Sequence, residues 1–160
     1  MTIKKNSWFT GSGDQINFDE ILTIIKDHSK KAGLISVGTD SHIKKRNCIF
    51  STAICLHKSS NTGGSRYFFK KVEFRKQKYS SLLPRITEEV RKSIEVGMKI
   101  LEYNPVIDIE LHIDISGPNK EHKTSKFADM LVGYATGAGF SCKIKPEAPA
   151  ASSVADKHSK

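Results

Sequence analysis

Three strand-like segments follow one another in the first half of the chain, and helix-like and strand-like segments alternate after them. The three segments, 34–39, 48–57 and 66–74, are rich in β-branched and aromatic residues, which favour strands. A polar stretch with two adjacent glycines joins the second segment to the third and is typical of a hairpin. This order predicts three consecutive antiparallel strands.

Apolar residues at helical spacing mark the helices on either side of these strands. A first helix is predicted over 17–33, with Asn17 as its N-cap and Gly33 at its end. A longer amphipathic helix is predicted from about Ser81 to Tyr103. The later elements are a strand with alternating apolar residues over 105–116, a helix over 123–139, a short strand over 140–145 and a weakly helical end over 147–160.

The order of elements predicts a mixed five-stranded sheet with helices on its faces and an extra helix before it. The 160 residues are enough for one domain, since domains of about 100 to 150 residues are the commonest. We therefore expect a single domain over 1–160, in which residues 1–16 are loosely ordered.

This order of elements resembles the ribonuclease H-like architecture. In that architecture the first strand of the meander lies centrally, beside the strand that follows the long helix. The ends of these two strands carry Asp40 and Asp114. We expect the two carboxylates to meet at one edge of the sheet, where they could hold a divalent metal.

Two further acids are expected to complete that site. Of Glu88 and Glu89 in the long helix, Glu89 is the better candidate, because at about 100° per residue it falls on the flank of the apolar stripe. Asp156 is the expected fourth acid, and Asp129 is its alternative. Without a fold hypothesis, each of these acids is more often a surface group or a helix cap than a ligand.

The chemistry of these side chains indicates the cofactor. Carboxylates suit hard cations such as Mg²⁺ or Mn²⁺, and two such ions about 3.5–4 Å apart can activate water and stabilise the leaving oxygen in phosphodiester cleavage. The sequence therefore predicts that Mg²⁺ or Mn²⁺ is bound by four residues that are also catalytic. They are Asp40, Glu89, Asp114 and Asp156.

Four motifs around these acids resemble those of the YkuK family of bacterial ribonuclease H-like proteins. They are VGTDSH (37–42), RITEEVRKS (85–93), HIDIS (112–116) and KPEAPAASSVADK (145–157). The resemblance covers the chain from about Trp8 to its end. It implies a ribonuclease H-like fold and a nuclease-type site at the same four acids, without implying a particular substrate.

Several polar residues near the predicted acids are candidate accessory groups. His112 lies two residues before Asp114 and on the same strand face, so it could bind metal, orient a carboxylate or move a proton. A hydrogen-bonded structural histidine is the alternative. The other candidates could each contact a phosphate, or else be turn or surface residues. They are His42, Ser41, Lys145 and Lys157.

The charge balance predicts a polyanionic partner, with nucleic acid as the first choice. The chain has 26 Lys and Arg against 17 Asp and Glu, a net charge of +9, which attracts polyanions. Cations concentrate over 68–78, interleaved with phenylalanines that could stack bases. The candidates for nucleic-acid binding are Lys70, Lys71, Arg75, Lys76 and Lys78. The alternative is that they form the solvated side of a strand and its turn.

Hydropathy and cysteine usage indicate the compartment. No apolar run approaches the roughly 18 residues of a membrane helix, and the first residues lack the apolar stretch of a secretory signal. The three cysteines are widely spaced, without a Cys-x-x-Cys pair, and so indicate reduced thiols. We expect a cytoplasmic protein; its oligomeric state stays open.

Three functions are consistent with these patterns. The first is a metal-dependent nuclease that cleaves phosphodiester bonds in RNA, DNA or a hybrid. The second is a nucleic-acid-binding module on the same fold without catalysis. The third is a metal-dependent hydrolase of small phosphorylated compounds, for which the net positive charge would be incidental.

Overall fold

The structure, a computed structural model, describes residues 7–31, 33–57, 66–116 and 127–145. The strands in chain order are β1 (Trp8–Thr10), β2 (Gln15–Ile16), β3 (Leu34–Lys44), β4 (Asn47–His57), β5 (Arg66–Arg75), β6 (Ile109–Ser116) and β7 (Ser141–Lys145). The helices are α1 (Phe18–Lys30), α2 (Leu82–Tyr103) and α3 (Ala128–Gly137), with a short 3₁₀ helix at Lys76–Tyr79 before α2. The predicted helical end over 147–160 lies outside the described residues.

The strands form one mixed sheet in the order β2-β1-β5-β4-β3-β6-β7. As predicted, β3, β4 and β5 are antiparallel neighbours. β6 pairs in parallel with β3, and β7 pairs in parallel with β6. β3 therefore lies inside the sheet, beside the strand that follows the long helix. The predicted mixed α/β class is confirmed, and the arrangement is consistent with a ribonuclease H-like fold.

The sheet has seven strands in the described part of the chain, not the predicted five. The two additional strands, β1 and β2, form a hairpin, and β1 pairs with β5. Trp8 of β1 is buried and stacks on Phe18, with the ring centroids 5.7 Å apart. The expectation of loose order over 1–16 is therefore wrong for residues 8–16, because burial of the indole ring stabilises this hairpin.

A layer of helices covers one face of the sheet. Buried side chains of the three helices, such as Ile25, Val90 and Leu131, share a core with Val37 of β3 and Leu111 of β6. Burying one side chain of this size contributes about 1.5–3 kcal/mol, so the core holds α2 firmly against β3 and β6. Among the described helices, none is long and apolar enough to cross a membrane.

β3 continues beyond its predicted range of 34–39, because its pairing with β4 extends to Lys44 and Asn47. Its parallel pairing with β6 is much shorter and ends at Gly38 and His112. The polar residues that follow Gly38 therefore remain in a strand, but they lie where the pairing between β3 and β6 has ended.

Candidate functional site

Asp40 and Asp114 lie on the same face of the sheet, just past the end of the β3–β6 pairing. The last paired residues are Gly38 and His112, and each aspartate follows two residues later in its strand. Because side chains two residues apart share a strand face, the two carboxylates point to the same side. Asp40 is buried, with 8% of its surface exposed, and Asp114 is half-buried. The structure thus brings together the two aspartates that the order of elements predicted.

Helix α2 covers the other face of the sheet at this point. The Thr39 Oγ1 atom of β3 lies 2.8 Å from Ser93 Oγ of α2 and 3.0 Å from Thr52 Oγ1 of β4. Since neighbouring strand residues alternate in direction, Asp40 lies on the face away from α2. A carboxylate from α2 can therefore approach the aspartates only past the end of the β3–β6 pairing.

Glu89 of α2 occupies that position. Ser41 Oγ donates a hydrogen bond to Glu89 Oε2 at 3.2 Å, and Glu89 and Asp114 line the same small cavity. Burial raises the pKa of Glu89 well above its usual range, and the charges of Asp40 and Asp114 raise this pKa further. The three carboxylates therefore interact electrostatically as one group.

Glu88, the other acid considered on α2, points elsewhere. Arg91 Nε donates to Glu88 Oε2 at 2.8 Å, and Lys92 Nζ lies 3.5 Å from Glu88 Oε1. These pairs stabilise the helix surface at spacings of three and four residues. Glu89 is thus the helix acid that lies near the aspartates.

The group of carboxylates suits a hard divalent cation in donor type and in charge. Carboxylate oxygens are preferred ligands of Mg²⁺, and their mutual repulsion would be relieved by a cation. Within the described ranges, however, no three His, Cys, Asp or Glu side chains are placed so that they could hold a metal ion together. Asp156 lies outside the described residues, whereas Asp129, its alternative, is exposed in the first turn of α3.

Arg85 is a neighbour of this group that the sequence did not single out. It lies one helical turn before Glu89. Its positive charge lowers the pKa of Glu89, whereas burial raises this pKa. Its Nε atom is buried and finds no hydrogen-bond partner among the described residues. A buried guanidinium donor without a partner is costly, so this atom is suited to bind an anion. Only its spacing of four residues from Glu89 could have indicated this in the sequence.

The candidate accessory residues differ in their surroundings. His112 is buried, and its Nε2 atom lies 2.7 Å from Glu110 Oε1, so Glu110 fixes the orientation of the imidazole. His42 is half-buried and lies on the same strand face as Asp40. Lys145 ends β7, and Lys157 lies outside the described residues.

The predicted nucleic-acid-binding cations fall into three groups. Lys70 is half-buried, with its Nζ atom 5.2 Å from the centroid of the Trp8 ring, and burial lowers the pKa of its ammonium group. Lys78 lies at the same distance from the Phe74 ring. Lys78 is exposed, as are Lys71, Arg75 and Lys76.

The phenylalanines interleaved with these cations are packing residues. Phe68 belongs to the core between sheet and helices, and Phe69 is buried and stacks on Phe9 with ring centroids 5.7 Å apart. Phe74 packs edge-on against Phe50 and Tyr79. The interpretation of Phe68 and Phe69 as base-stacking residues is therefore not supported.

Comparison with known proteins places this geometry in a family. The family described as ribonuclease H-like matches residues 17–160. Among curated proteins, the chain is 26% identical over 166 residues to the "Uncharacterized protein YkuK" of Bacillus subtilis (strain 168), a match that covers 91% of this chain and 92% of that protein. No solved structure matches the chain significantly. The resemblance that the four motifs indicated is confirmed.

Proposed function

The chain belongs to the ribonuclease H-like family, and on this basis we propose that it is a metal-dependent nuclease cleaving phosphodiester bonds in RNA, DNA or a hybrid. The observation that carries the proposal is the position of Glu89, which lines one cavity with Asp114 and accepts a hydrogen bond from Ser41, the neighbour of Asp40, where the β3–β6 pairing ends. Acidic side chains from two strands and a helix that meet at one position supply the oxygen ligands that a hard divalent cation prefers.

Each residue of the site has a distinct role in this proposal. Asp40 and Asp114 would hold Mg²⁺ or Mn²⁺, and Glu89, together with Asp156, would complete the ligand set. When bound, the ion would supply a Lewis acid for a phosphoryl oxygen and lower the pKa of a water molecule. Ser41 orients Glu89 through its hydrogen bond.

The neighbouring cations and histidines would act on the substrate or on the carboxylates. The buried Nε atom of Arg85 would donate to a phosphate oxygen and offset the charge that develops during cleavage. His112, held by Glu110, would orient Asp114. His42, Lys145 and Lys157 would contact phosphates of the bound nucleic acid.

A cleavage assay with matched variants tests the proposal. Asp114→Asn keeps the size of the side chain and removes its charge, whereas Asp108→Asn makes the same change at an exposed position before β6. With Mg²⁺ or Mn²⁺ present, we expect Asp114→Asn to reduce cleavage of labelled RNA, DNA and hybrid substrates by about 100-fold or more, because metal affinity is lost. Asp108→Asn should cleave at the wild-type rate. Equal cleavage by the two variants would contradict the site assignment.

A non-catalytic nucleic-acid-binding module is the second candidate function. It is favoured by the finding that no three metal-binding side chains of the described residues are already placed together. Binding and cleavage by the wild type, measured side by side, separate the candidates. If the wild type binds nucleic acid but cleaves none of the substrates with either ion, the binding module is the better account.

A further inference from the structure

An open groove of about 790 Å³ lies at the turn between β3 and β4, beside the end of β5. Four cations line it, Lys45, Arg46, Arg75 and Lys76, together with three uncharged polar residues. No acidic residue of the described chain lines this groove. Such a concentration of one charge around a concave surface is a feature of anion-binding sites.

Backbone pairing fixes the positions of these cations. Asn47 is in register with Lys44 across β3–β4 and with Arg75 across β4–β5. The backbone N–H of Lys76 donates to the carbonyl oxygen of Arg46 at 2.7 Å, which ties the end of β5 to the turn. The groove is thus formed where the β3–β4 turn, the end of β5 and the 3₁₀ helix after β5 meet.

The four cations lack compensation by nearby acids. None of them forms an ion pair with an acidic residue in the part of the chain that the structure describes. Glu73, the acid closest in sequence on β5, accepts a hydrogen bond of 2.7 Å from Asn47 Nδ2. Four like charges at one groove repel one another, so an anion with several negative charges would relieve this repulsion.

Two residues that line the groove, Asn47 and Arg75, lie on the same sheet face as the candidate metal ligands. Lys44, Asn47 and Arg75 form one row across β3, β4 and β5, whereas Asp40, Ser51 and Lys71 form another. Both rows occupy the same face, because they are separated by an even number of residues in each strand. The row between them consists of His42, Ile49 and Glu73, whereas the exposed Lys71 lies in the row of Asp40, two strands away.

The distance along β3 indicates how long an anion must be to reach both the carboxylates and the groove. Asp40 and Lys44 are four residues apart in β3, or about 13 Å at a rise of roughly 3.3 Å per residue. A strand of a nucleic-acid duplex advances about 3.4 Å per nucleotide along the helix axis. About four nucleotides would therefore span the distance from the carboxylates to the groove.

We propose that this groove binds the phosphate backbone of a nucleic-acid strand about four nucleotides from the carboxylates, with Lys45 and Arg46 as contacts that the sequence did not predict. The inference rests on the proposed function, because it takes nucleic acid as the substrate of the site. It adds the direction of the strand, which runs along β3 from Asp40 past His42 to the β3–β4 turn. The arginine forks suit phosphate oxygens.

The test compares two double variants of equal charge in the Asp114→Asn background, without divalent metal. Lys45→Gln/Arg46→Gln changes the groove at two exposed positions, and Lys26→Gln/Lys30→Gln changes two exposed positions on α1. Circular dichroism and the melting temperature check that both variants fold. Binding is measured by fluorescence anisotropy with labelled single-stranded RNA, single-stranded DNA and an RNA–DNA hybrid, over a series of salt concentrations.

The groove variant should bind nucleic acid about tenfold more weakly. Its salt slope should be shallower by about 1.4 for the single strands, since each lost phosphate contact removes about 0.7 from the slope of a single strand. The α1 variant should change affinity less than about twofold. Equal losses in the two variants, or no binding of nucleic acid by the parent, would overturn the inference, as would equally strong binding of polyglutamate. Cleavage by the metal-loaded wild type, measured in parallel, keeps the proposed function separate from this outcome.

Discussion

Asp40 occupies a position where a charged side chain is costly. It is 8% exposed. The negative charges of Asp40 and Asp114 both raise the pKa of Glu89, so the three side chains interact. Burying like charges together costs free energy unless a cation compensates them. The divalent ion of the proposed function would offset this cost.

Ser41 gives a test of how Glu89 is oriented. Its hydroxyl donates to Glu89 Oε2 at 3.2 Å, so Ser41→Ala leaves the carboxylate free to rotate. We expect Ser41→Ala to weaken Mn²⁺ binding about tenfold, which is typical when a residue that orients a metal ligand is removed. Calorimetric titration measures the change. Ser41→Thr, which keeps the hydroxyl group, should restore most of the affinity; equal losses in both variants would indicate a purely structural role.

At the scale of elements, helix α2 determines where Glu89 lies, and one glycine sets the distance between α2 and its surroundings. A Cβ atom at Gly97 would lie 2.8 Å from the Phe140 ring, and Phe140 is buried. At Gly133 in α3, by contrast, a Cβ atom would meet nothing within 4 Å. Both glycines thus lie within helices, but an added methyl group would clash with a neighbour only at Gly97.

We expect Gly97→Ala to destabilise the protein by about 1–3 kcal/mol, because overpacking outweighs the gain in helix propensity. Gly133→Ala should stabilise it by up to about 1 kcal/mol, since only the propensity changes. Denaturant unfolding of both variants measures the two free energies. If Gly97→Ala were as stabilising as Gly133→Ala, the close packing of α2 against Phe140 would be wrong.

The elements with strong periodicity could be predicted from the sequence, and the weaker ones could not. The apolar spacing of α2 leads to its observed position, and the alternation in β6 leads to its observed end, although β6 begins at Ile109 and not at the predicted residue 105. β1 and β2 have three and two residues, too few for alternation to be recognised. The end of β3 was missed because polar residues 39–42 are paired with β4, a contact that local pattern does not encode.

In the candidate site, too, some residues could be predicted from the sequence and others could not. Asp40 and Asp114 follow from the order of elements, because neighbouring strands bring their ends together. The importance of Arg85 depends on the burial of one nitrogen atom, and that of Lys45 and Arg46 depends on a groove formed with the end of β5. Such features arise from packing between distant parts of the chain, so single-sequence patterns do not reveal them.

At the scale of the whole molecule, the cysteines report on the integrity of the packing. Cys48 and Cys55 are buried and Cys142 is half-buried. Burial raises the pKa of Cys55 to about 12 and that of Cys142 to about 11. Since the thiolate is the reactive form, thiols with raised pKa values stay protonated and unreactive at pH 8.

We therefore expect a thiol reagent at pH 8 to modify the native protein far more slowly than the protein unfolded in guanidinium chloride. The three thiols should then react together on unfolding, which a colour-forming disulfide reagent can follow. Rapid reaction of Cys55 in the native protein would contradict the described core.

Calorimetric titration with Mn²⁺ or Mg²⁺ tests the proposal that Asp40 and Asp114 hold a divalent metal. The comparison is between the wild type and Asp40→Asn/Asp114→Asn, with Asp27→Asn/Asp108→Asn as a control that removes two exposed carboxylates. The account predicts binding in the millimolar range or tighter by the wild type and the control, and its loss in the first variant. Equal binding by all three proteins, or no binding by the wild type even with nucleic acid present, would contradict it.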